Sequence, residues 1–272
     1  MREVIRRVSK EFGISRDEAE LVVASLLERP RFRLYMDEKI DTATEKTLEL
    51  KIRQLKKDMP IEYITKRALF RDYELRIEPG VFIPRLETEY FIDLIARLAK
   101  NHPRSILEIG TGSGAIAIAL AHVFPTARIV ATDISETALT CARFNIKNHG
   151  LDARIALLCS NMFTALSGRF DMIISNPPYI PHARIQKLPR SVRMYEPLPA
   201  LDGGRNGIQF IRKLIEQGGD FLIPKGSMAI EIDEEQVEML RDFLNTTRSM
   251  PFFFYKDLFN RFRYLFIGNV KE

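Results

Sequence analysis

Ser105-Ile106-Leu107-Glu108-Ile109 is an apolar run that leads into Gly110-Thr111-Gly112-Ser113-Gly114, and small residues from Ala115 to Ala121 follow it. Such a run ended by glycines predicts a buried strand. The small-residue segment predicts a helix whose first backbone N–H groups are free to bind a ligand. Because glycines let a ligand lie against the backbone, we expect a strand, a ligand-binding loop and a helix here.

Strand and helix patterns alternate along the rest of the chain, which is typical of parallel βαβ units. Further strands are predicted at 128–132, 155–158, 170–174 and 228–231, and helices at 136–148, 208–216 and 235–244. Two aromatic runs, at 252–255 and 264–267, flank a polar segment as an antiparallel pair would. We therefore expect an α/β fold with a doubly wound, mostly parallel, seven-stranded sheet that ends in an antiparallel hairpin.

The N-terminal region shows a different pattern, with short amphipathic helices up to about residue 60. Ser15 and Thr42 each begin a segment that fits a capping box, with Glu18 and Glu45 three residues later. From Tyr63 an alternating aromatic pattern predicts a hairpin. We expect three parts: a helical domain at 1–62, a β-hairpin connector at 63–84 and the main domain at 85–272.

Composition limits the class of protein. The 272 residues are enough for a main domain with a small satellite, and a net charge of +5 permits an anionic partner without requiring one. Cys141 and Cys159 lie in apolar periodic segments, which predicts buried thiols in a reducing compartment such as the cytoplasm. The charged N-terminus and the lack of an 18-residue apolar run predict neither a signal peptide nor a membrane span.

The four histidines show no metal-ligand spacing with each other or with the cysteines, so no metal is expected. They are His102, His122, His149 and His182.

We expect the glycine loop to bind an adenosine-containing cofactor. Asp133 closes the second strand, where it could accept both ribose hydroxyls of NAD or of S-adenosylmethionine. With Ala115 the loop also fits a dinucleotide fingerprint, so a pyrophosphate is a rival ligand. Glu108 disfavours the rival because pyrophosphate beside a carboxylate is unfavourable, whereas a cationic amino group suits it.

Asn176-Pro177-Pro178-Tyr179 follows the apolar run at 172–174, so it should lie at the carboxyl end of a buried strand. Open α/β sheets bind ligands outside that end. Two prolines fix the backbone and donate no N–H, which holds the carbonyl groups of Asn176 and Pro177 rigidly. A rigid set of acceptors suits a substrate NH2 group.

Two levels of family resemblance follow from these motifs. The Glu-x-Gly-x-Gly order resembles the class I S-adenosylmethionine-dependent methyltransferases, and the NPPY motif at 176–179 resembles their amino-methylating branch. The strip from Phe82 to Glu89 resembles the IPRPET signature of the HemK/PrmC family, which methylates a glutamine side chain of class-1 peptide chain release factors. The stretches 132–135, 175–180, 195–197 and 200–204 agree with it.

This resemblance implies a cytoplasmic protein-(glutamine-N5) methyltransferase that acts in translation termination. Its catalytic domain would have the Rossmann-like class I fold, and its N-terminal helices would recognise the release factor. The implied residues for S-adenosyl-L-methionine are Glu108, Gly110, Thr111, Gly112, Ser113, Gly114, Asp133, Asn161, Met162 and Asn176. The implied substrate residues are Phe82, Asn176, Pro177, Pro178 and Tyr179, with Asn176, Pro177 and Tyr179 catalytic.

Three positions depart from the family pattern. Leu86 stands where the family usually has Pro, which predicts a looser strip. Asn161 replaces the usual acid for the adenine amino group, and its amide oxygen can still accept a hydrogen bond. Asp233 replaces a common Gly, which places the shape of its loop in question because a Cβ disfavours positive φ.

Other interpretations stay open at this point. The same tetrapeptide orients the NH2 group of a flipped base, so a DNA or RNA exocyclic-amine methyltransferase is an alternative, although no base-reading module is visible. A non-catalytic scaffold that keeps the fold is another. Phe82 fits core packing as well as substrate contact, and Arg85 fits a surface ion pair. The basic cluster Arg184, Lys187, Arg190 and Arg193 fits partner steering or a solvated loop equally well.

Overall fold

The structure is a computed structural model of the whole chain, and it describes residues 1–36, 41–55, 58–100, 102–247 and 250–271. The described part of the N-terminal region contains the helices α1 (Arg2–Phe12), α2 (Arg16–Leu26), α3 (Arg33–Met36), α4 (Thr42–Gln54) and α5 (Ile61–Thr65). Their apolar faces enclose a small core that includes Val8, Val22 and Leu48.

Ser15 caps α2 with the reciprocal bonds of a capping box, as predicted. The capping prediction for α4 is wrong by one residue. Asp41 is the N-cap, and its side chain accepts from the backbone N–H of Thr44. A carboxylate satisfies the free N–H groups of the first turn at least as well as a threonine hydroxyl does.

A two-stranded hairpin follows, with β1 (Arg67–Phe70) antiparallel to β2 (Tyr73–Arg76). Tyr63 does not belong to it, because the segment before Arg67 forms α5 and Lys66 ends that helix in the left-handed conformation. The strip from Val81 to Arg85 is extended and leads into α6 (Leu86–Leu98).

The seven-stranded sheet is confirmed. Its strands are β3 (Ser105–Ile109), β4 (Arg128–Asp133), β5 (Ile155–Cys159), β6 (Phe170–Ser175), β7 (Leu222–Glu231), β8 (Phe252–Lys256) and β9 (Phe262–Gly268). The spatial order is β5-β4-β3-β6-β7-β9-β8. The first five strands in this order are parallel, and β9 pairs antiparallel with both β7 and β8.

Helices cover both faces of the sheet. The helices that follow α6 in the chain are α7 (Ala115–Val123), α8 (Glu136–Asn148), α9 (His182–Ile185), α10 (Arg190–Tyr195), α11 (Gln209–Gly218) and α12 (Val237–Thr246). Alternate residues of a strand point to opposite faces, so Ile106 packs with α6, α7 and α8, whereas Leu107 packs with α11 and α12. The central parallel strands β3 and β6 are thereby buried on both faces.

Burial of the cysteines agrees with the prediction only at Cys141. Cys159 is exposed, because it is the last residue of β5 and β5 is an edge strand of the sheet. No helix within the described ranges is long and apolar enough to cross a membrane.

Candidate active site

A cleft of about 360 Å³ lies at the carboxyl ends of β3, β4 and β6. One wall is the glycine loop, another is the segment at 160–162, and the tetrapeptide at 176–179 forms a third. Its volume falls in the range of small-molecule sites. The strip at 80–84 and the segment at 197–201 line the remaining sides. The glycine loop and the tetrapeptide, which were predicted separately, therefore face the same cavity.

The glycine loop presents bare backbone to the cleft. Gly110 and Gly112 have φ values of 78° and 55°, and a Cβ built on either would meet no atom of the described chain within 4 Å. Gly114 has a different role, since a Cβ there would lie 3.3 Å from the Cβ of Ala142 on α8. It does not line the cleft and instead permits close packing of two helices.

Asp133 closes β4 and lines the cleft, as predicted. Its Oδ2 accepts from the backbone N–H of Gly112 at 2.9 Å, and its Oδ1 accepts from that of Ser135 at 2.9 Å. These two bonds fix the carboxylate between the glycine loop and the start of α8. Each oxygen keeps a lone pair for a hydroxyl donor.

Glu108 is fully buried beneath the glycine loop and does not itself line the cleft. Its Oε2 accepts from the hydroxyl of Thr111 at 2.8 Å, while its Oε1 has no hydrogen-bond partner among the described residues. Burial raises the pKa of Glu108 to about 8, with the nearby Asp133 carboxylate acting in the same direction. An unpartnered buried carboxylate oxygen beneath this loop is suited to a cationic group.

Asn176 is held by a chain of side chains at the carboxyl ends of β6 and β7. Its Nδ2 donates to Thr88 Oγ1 at 3.0 Å, and the Thr88 hydroxyl donates to Glu231 Oε2 at 2.8 Å. The Tyr179 hydroxyl donates to Glu231 Oε1 at 3.1 Å. This bond from one N–H of Nδ2 turns Oδ1 away from Thr88, where it can accept from a ligand.

Phe82 is half-buried and lines the cleft, so it is not an ordinary core residue. The guanidinium of Arg85 lies 4.8 Å from its ring centroid and also pairs with the buried carboxylate of Glu196. Glu196 in turn accepts from the backbone N–H of Ile83 at 3.4 Å. Arg85 is therefore a bridge between the strip and the segment after α10.

Asn161 and Met162 line the cleft where an adenine is predicted. Met162 has a φ of 55°, which is unusual for a residue with a side chain. The Ser160 hydroxyl supports this turn by donating to the Met162 carbonyl at 2.9 Å. Asn161 is exposed to solvent as well as to the cleft.

The loop at 201–207, which contains Gly203 and Gly207, packs against the tetrapeptide at 176–179. Ile180 donates to the Leu201 carbonyl at 3.0 Å, and Gly203 donates to the Ile180 carbonyl at 2.9 Å. A Cβ at Gly203 would lie 2.8 Å from the Pro178 carbonyl oxygen, and one at Gly207 would lie 2.3 Å from the Tyr179 carbonyl oxygen. Only glycine allows this close approach.

Two of the three departures from the family pattern, Leu86 and Asp233, have a clear structural outcome. Leu86 is the exposed first residue of α6, a position where proline is favoured but not required. Asp233 has a φ of −95° and caps a short 3-10 helix through a capping box with Gln236, so its Cβ causes no strain.

The basic cluster is largely paired. Arg184 forms ion pairs with Asp233 at 3.3 Å and Glu235 at 3.0 Å, and Arg190 pairs with Asp58 at 3.3 Å. Arg193 donates to the Gln186 carbonyl at 3.1 Å. Three of its four members therefore bond to groups of the chain itself.

Sequence reasoning missed Thr88, Glu196 and Glu231 as site residues. Thr88 lies inside the quoted strip, Glu196 lies inside the stretch at 195–197, and Glu231 ends a predicted strand at the same sheet edge as Asn176. The signal that could have identified Glu231 is a carboxylate at the end of an otherwise apolar strand.

The chain is similar to several known proteins. The family model described as "Methyltransferase small domain" matches residues 73–189. A release factor glutamine methyltransferase from Gloeobacter violaceus is 39% identical over 208 residues, covering 76% of this chain and 73% of the relative. Another from Moorella thermoacetica is 37% identical over 246 residues, covering 88% and 86%. Among solved structures, a ribosomal protein L11 methylase from Lactobacillus delbrueckii subsp. bulgaricus has a TM-score of 0.53 at 25% identity, covering 74% and 89%.

Proposed function

The chain belongs to the release factor glutamine methyltransferase family, and we propose that it transfers a methyl group from S-adenosyl-L-methionine to the side-chain amide nitrogen of a glutamine in a class-1 peptide chain release factor. The observation that carries this proposal is the hydrogen bond from Asn176 Nδ2 to Thr88, which leaves Oδ1 to accept from a substrate NH2 group.

The cleft fits the proposed cofactor. Gly110 and Gly112 offer a cradle that any side chain would fill, Asp133 offers lone pairs to ribose hydroxyls, and Glu108 offers an unpartnered carboxylate oxygen beneath the loop. Asn161 and Met162 would contact the adenine. When bound, S-adenosylmethionine supplies an electrophilic methyl group on a positively charged sulfur.

The chain's own residues then orient the acceptor nitrogen. An amide nitrogen is a poor nucleophile because its lone pair is delocalised, so positioning carries most of the rate. Asn176 Oδ1 and the Pro177 carbonyl accept the two N–H bonds and direct the nitrogen toward the methyl group. Tyr179 and Phe82 present aromatic faces to the amide, and such faces stabilise positive charge by about 0.5–2 kcal/mol.

A methylation assay tests the proposal. We expect a purified release factor to accept one methyl group on a glutamine, detected by mass spectrometry, while duplex DNA and RNA accept none. Methylation of the nucleic acid instead of the protein would overturn the choice of substrate.

The N-terminal helices are proposed to bind the release factor away from the cleft, and the enzyme is proposed to act in the cytoplasm, where its partner functions. Removing residues 1–60 is expected to lower kcat/KM for the whole release factor far more than for a short glutamine-containing peptide. The reason is that only the whole partner can reach both parts of the enzyme. An equal loss on both substrates would contradict a role in partner binding.

Glu108→Gln is expected to stabilise the ligand-free protein and to weaken cofactor binding. The pKa of Glu108 is raised in the folded state, so its ionisation costs stability as the pH rises from about 4.5 to about 8. A neutral amide avoids that cost, so the gain in Tm should grow over this pH range. Thermal unfolding at several pH values measures it, with the exposed Glu45→Gln as the control. A gain that is constant with pH would contradict the assignment.

A further inference from the structure

The chain of hydrogen bonds behind Asn176 has a direction. An ionised carboxylate only accepts hydrogen bonds, so the hydroxyls of Tyr179 and Thr88 must both donate to Glu231. The single proton of the Thr88 hydroxyl is then committed, and its oxygen can only accept from Asn176 Nδ2. The charge on Glu231 thereby determines which end of the Asn176 amide faces the cleft.

We propose that Thr88 and Glu231 are positioning residues that set the orientation of the Asn176 amide, and that a proton on Glu231 reverses it. This inference rests on the proposed function, because the orientation matters only if Asn176 Oδ1 accepts from the substrate amide. Glu231 is fully buried and does not line the cleft, so it acts through Thr88 and not by contact with substrate.

Protonation of Glu231 reverses the two bonds that run through Thr88 and leaves the bond from Tyr179 as it is. Oε1 of Glu231 already receives the Tyr179 proton, so the added proton sits on Oε2 and donates to Thr88 Oγ1. The Thr88 proton is then released from Glu231 and is free to donate to the Asn176 amide, which turns so that Oδ1 accepts and Nδ2 faces the cleft. Two donors, Nδ2 and the substrate N–H, would then oppose each other, and the substrate would lose one of its two acceptors.

The surroundings of Glu231 allow its carboxylate to take up this proton near neutral pH. Burial raises the pKa of Glu231 to about 7, opposed by the hydroxyls of Thr88 and Tyr179 and by Arg263 on β9. Glu87 on α6 adds a repulsive charge. Tyr264, opposite Glu231 in the β7–β9 register, donates its hydroxyl to the Glu87 carbonyl, and Asp257 and Asp233 lie beside Arg263.

The test compares pH profiles of kcat at saturating cofactor. A single ionisation near 7 predicts a fall of about tenfold in the wild type between pH 8 and pH 6. Thr88→Ser keeps the hydroxyl and should keep this profile. Thr88→Val removes it, so kcat should fall about tenfold at pH 8 and lose its pH dependence although Glu231 is still present. Glu231→Gln should be low at every pH, because its NH2 group mimics the protonated acid.

A second measurement separates this inference from the proposed function. If the wild type does not methylate a release factor, the proposed function fails. The relay, meaning the hydrogen-bond chain from Glu231 through Thr88 to Asn176, is then tested alone by the side-chain ¹H–¹⁵N signals of Asn176. These signals are identified by their loss in Asn176→Ala. They should shift between pH 6 and 8 in the wild type and in Thr88→Ser, but not in Thr88→Val. A Thr88→Val protein with the wild-type pH profile or the wild-type shift would overturn the relay.

Discussion

Asn176→Ala is expected to lower methyl transfer to the glutamine by about 100-fold to 1000-fold, the scale seen when one preorganised polar group is removed from an active site. In the proposed function this side chain supplies one of two acceptors for the substrate NH2 group, and alanine would leave the nitrogen free to rotate away from the methyl donor. The backbone of 176–179 should keep its conformation, because Pro177 and Pro178 fix φ and the loop at 201–207 supports it.

Calorimetry of S-adenosylmethionine binding separates this effect from loss of the cofactor site. We expect Kd to change by less than about tenfold, or 1.4 kcal/mol, since Glu108, Asp133 and the glycine loop are unaltered. Asn148→Ala is a matched control, because this asparagine is exposed at the end of α8. Wild-type turnover by Asn176→Ala would contradict the proposed role of the Asn176 amide as an acceptor for the substrate NH2 group.

Gly207→Ala is expected to damage both stability and activity. The φ of Gly207 is 76°, and its added Cβ would lie 2.3 Å from the Tyr179 carbonyl oxygen and 2.4 Å from Gln236 Nε2. Positive φ on a residue with a side chain costs about 1–3 kcal/mol, and overpacking a filled site costs a similar amount. Relief of the overlap would push the Tyr179 backbone toward the cleft, so kcat should fall together with the free energy of unfolding.

Gly219→Ala provides the comparison. Gly219 has a φ of −57°, and its Cβ would meet nothing within 4 Å in the described structure. Urea unfolding should place this variant within about 0.5 kcal/mol of the wild type, as for most surface substitutions. Equal stability of the two alanine variants would show that the loop at 201–207 is not pressed against the tetrapeptide.

The sheet was predictable because its strands are short apolar runs separated by glycines and helical periods. Ser105–Ile109 and Phe170–Ser175 begin where the pattern indicates, and the C-terminal hairpin pairs as expected. The start of β7 was not predictable, because Pro224, Lys225 and Gly226 interrupt its apolar run. A register shift between Phe170 and Met172 accommodates these residues.

Local sequence carries less information about residues that meet across the sheet. Thr88 and Glu231 are 143 positions apart, and only the parallel register of β6 and β7 brings Glu231 to Asn176. The exposure of Cys159 depends on β5 being at the edge, which is a property of strand order and not of the segment itself.

The position of β9 links solubility to catalysis. β9 follows β8 in the chain but lies between β7 and β8 in the sheet. The edge of β7 that faces away from β6 is therefore paired only when the hairpin has formed and β9 has inserted. Until then the apolar edge of β7 from Ser227 to Glu231 is a template for association with other chains. Because Arg263 and Tyr264 flank Glu231, a substitution that weakens the hairpin should produce aggregated protein and an incomplete active site together.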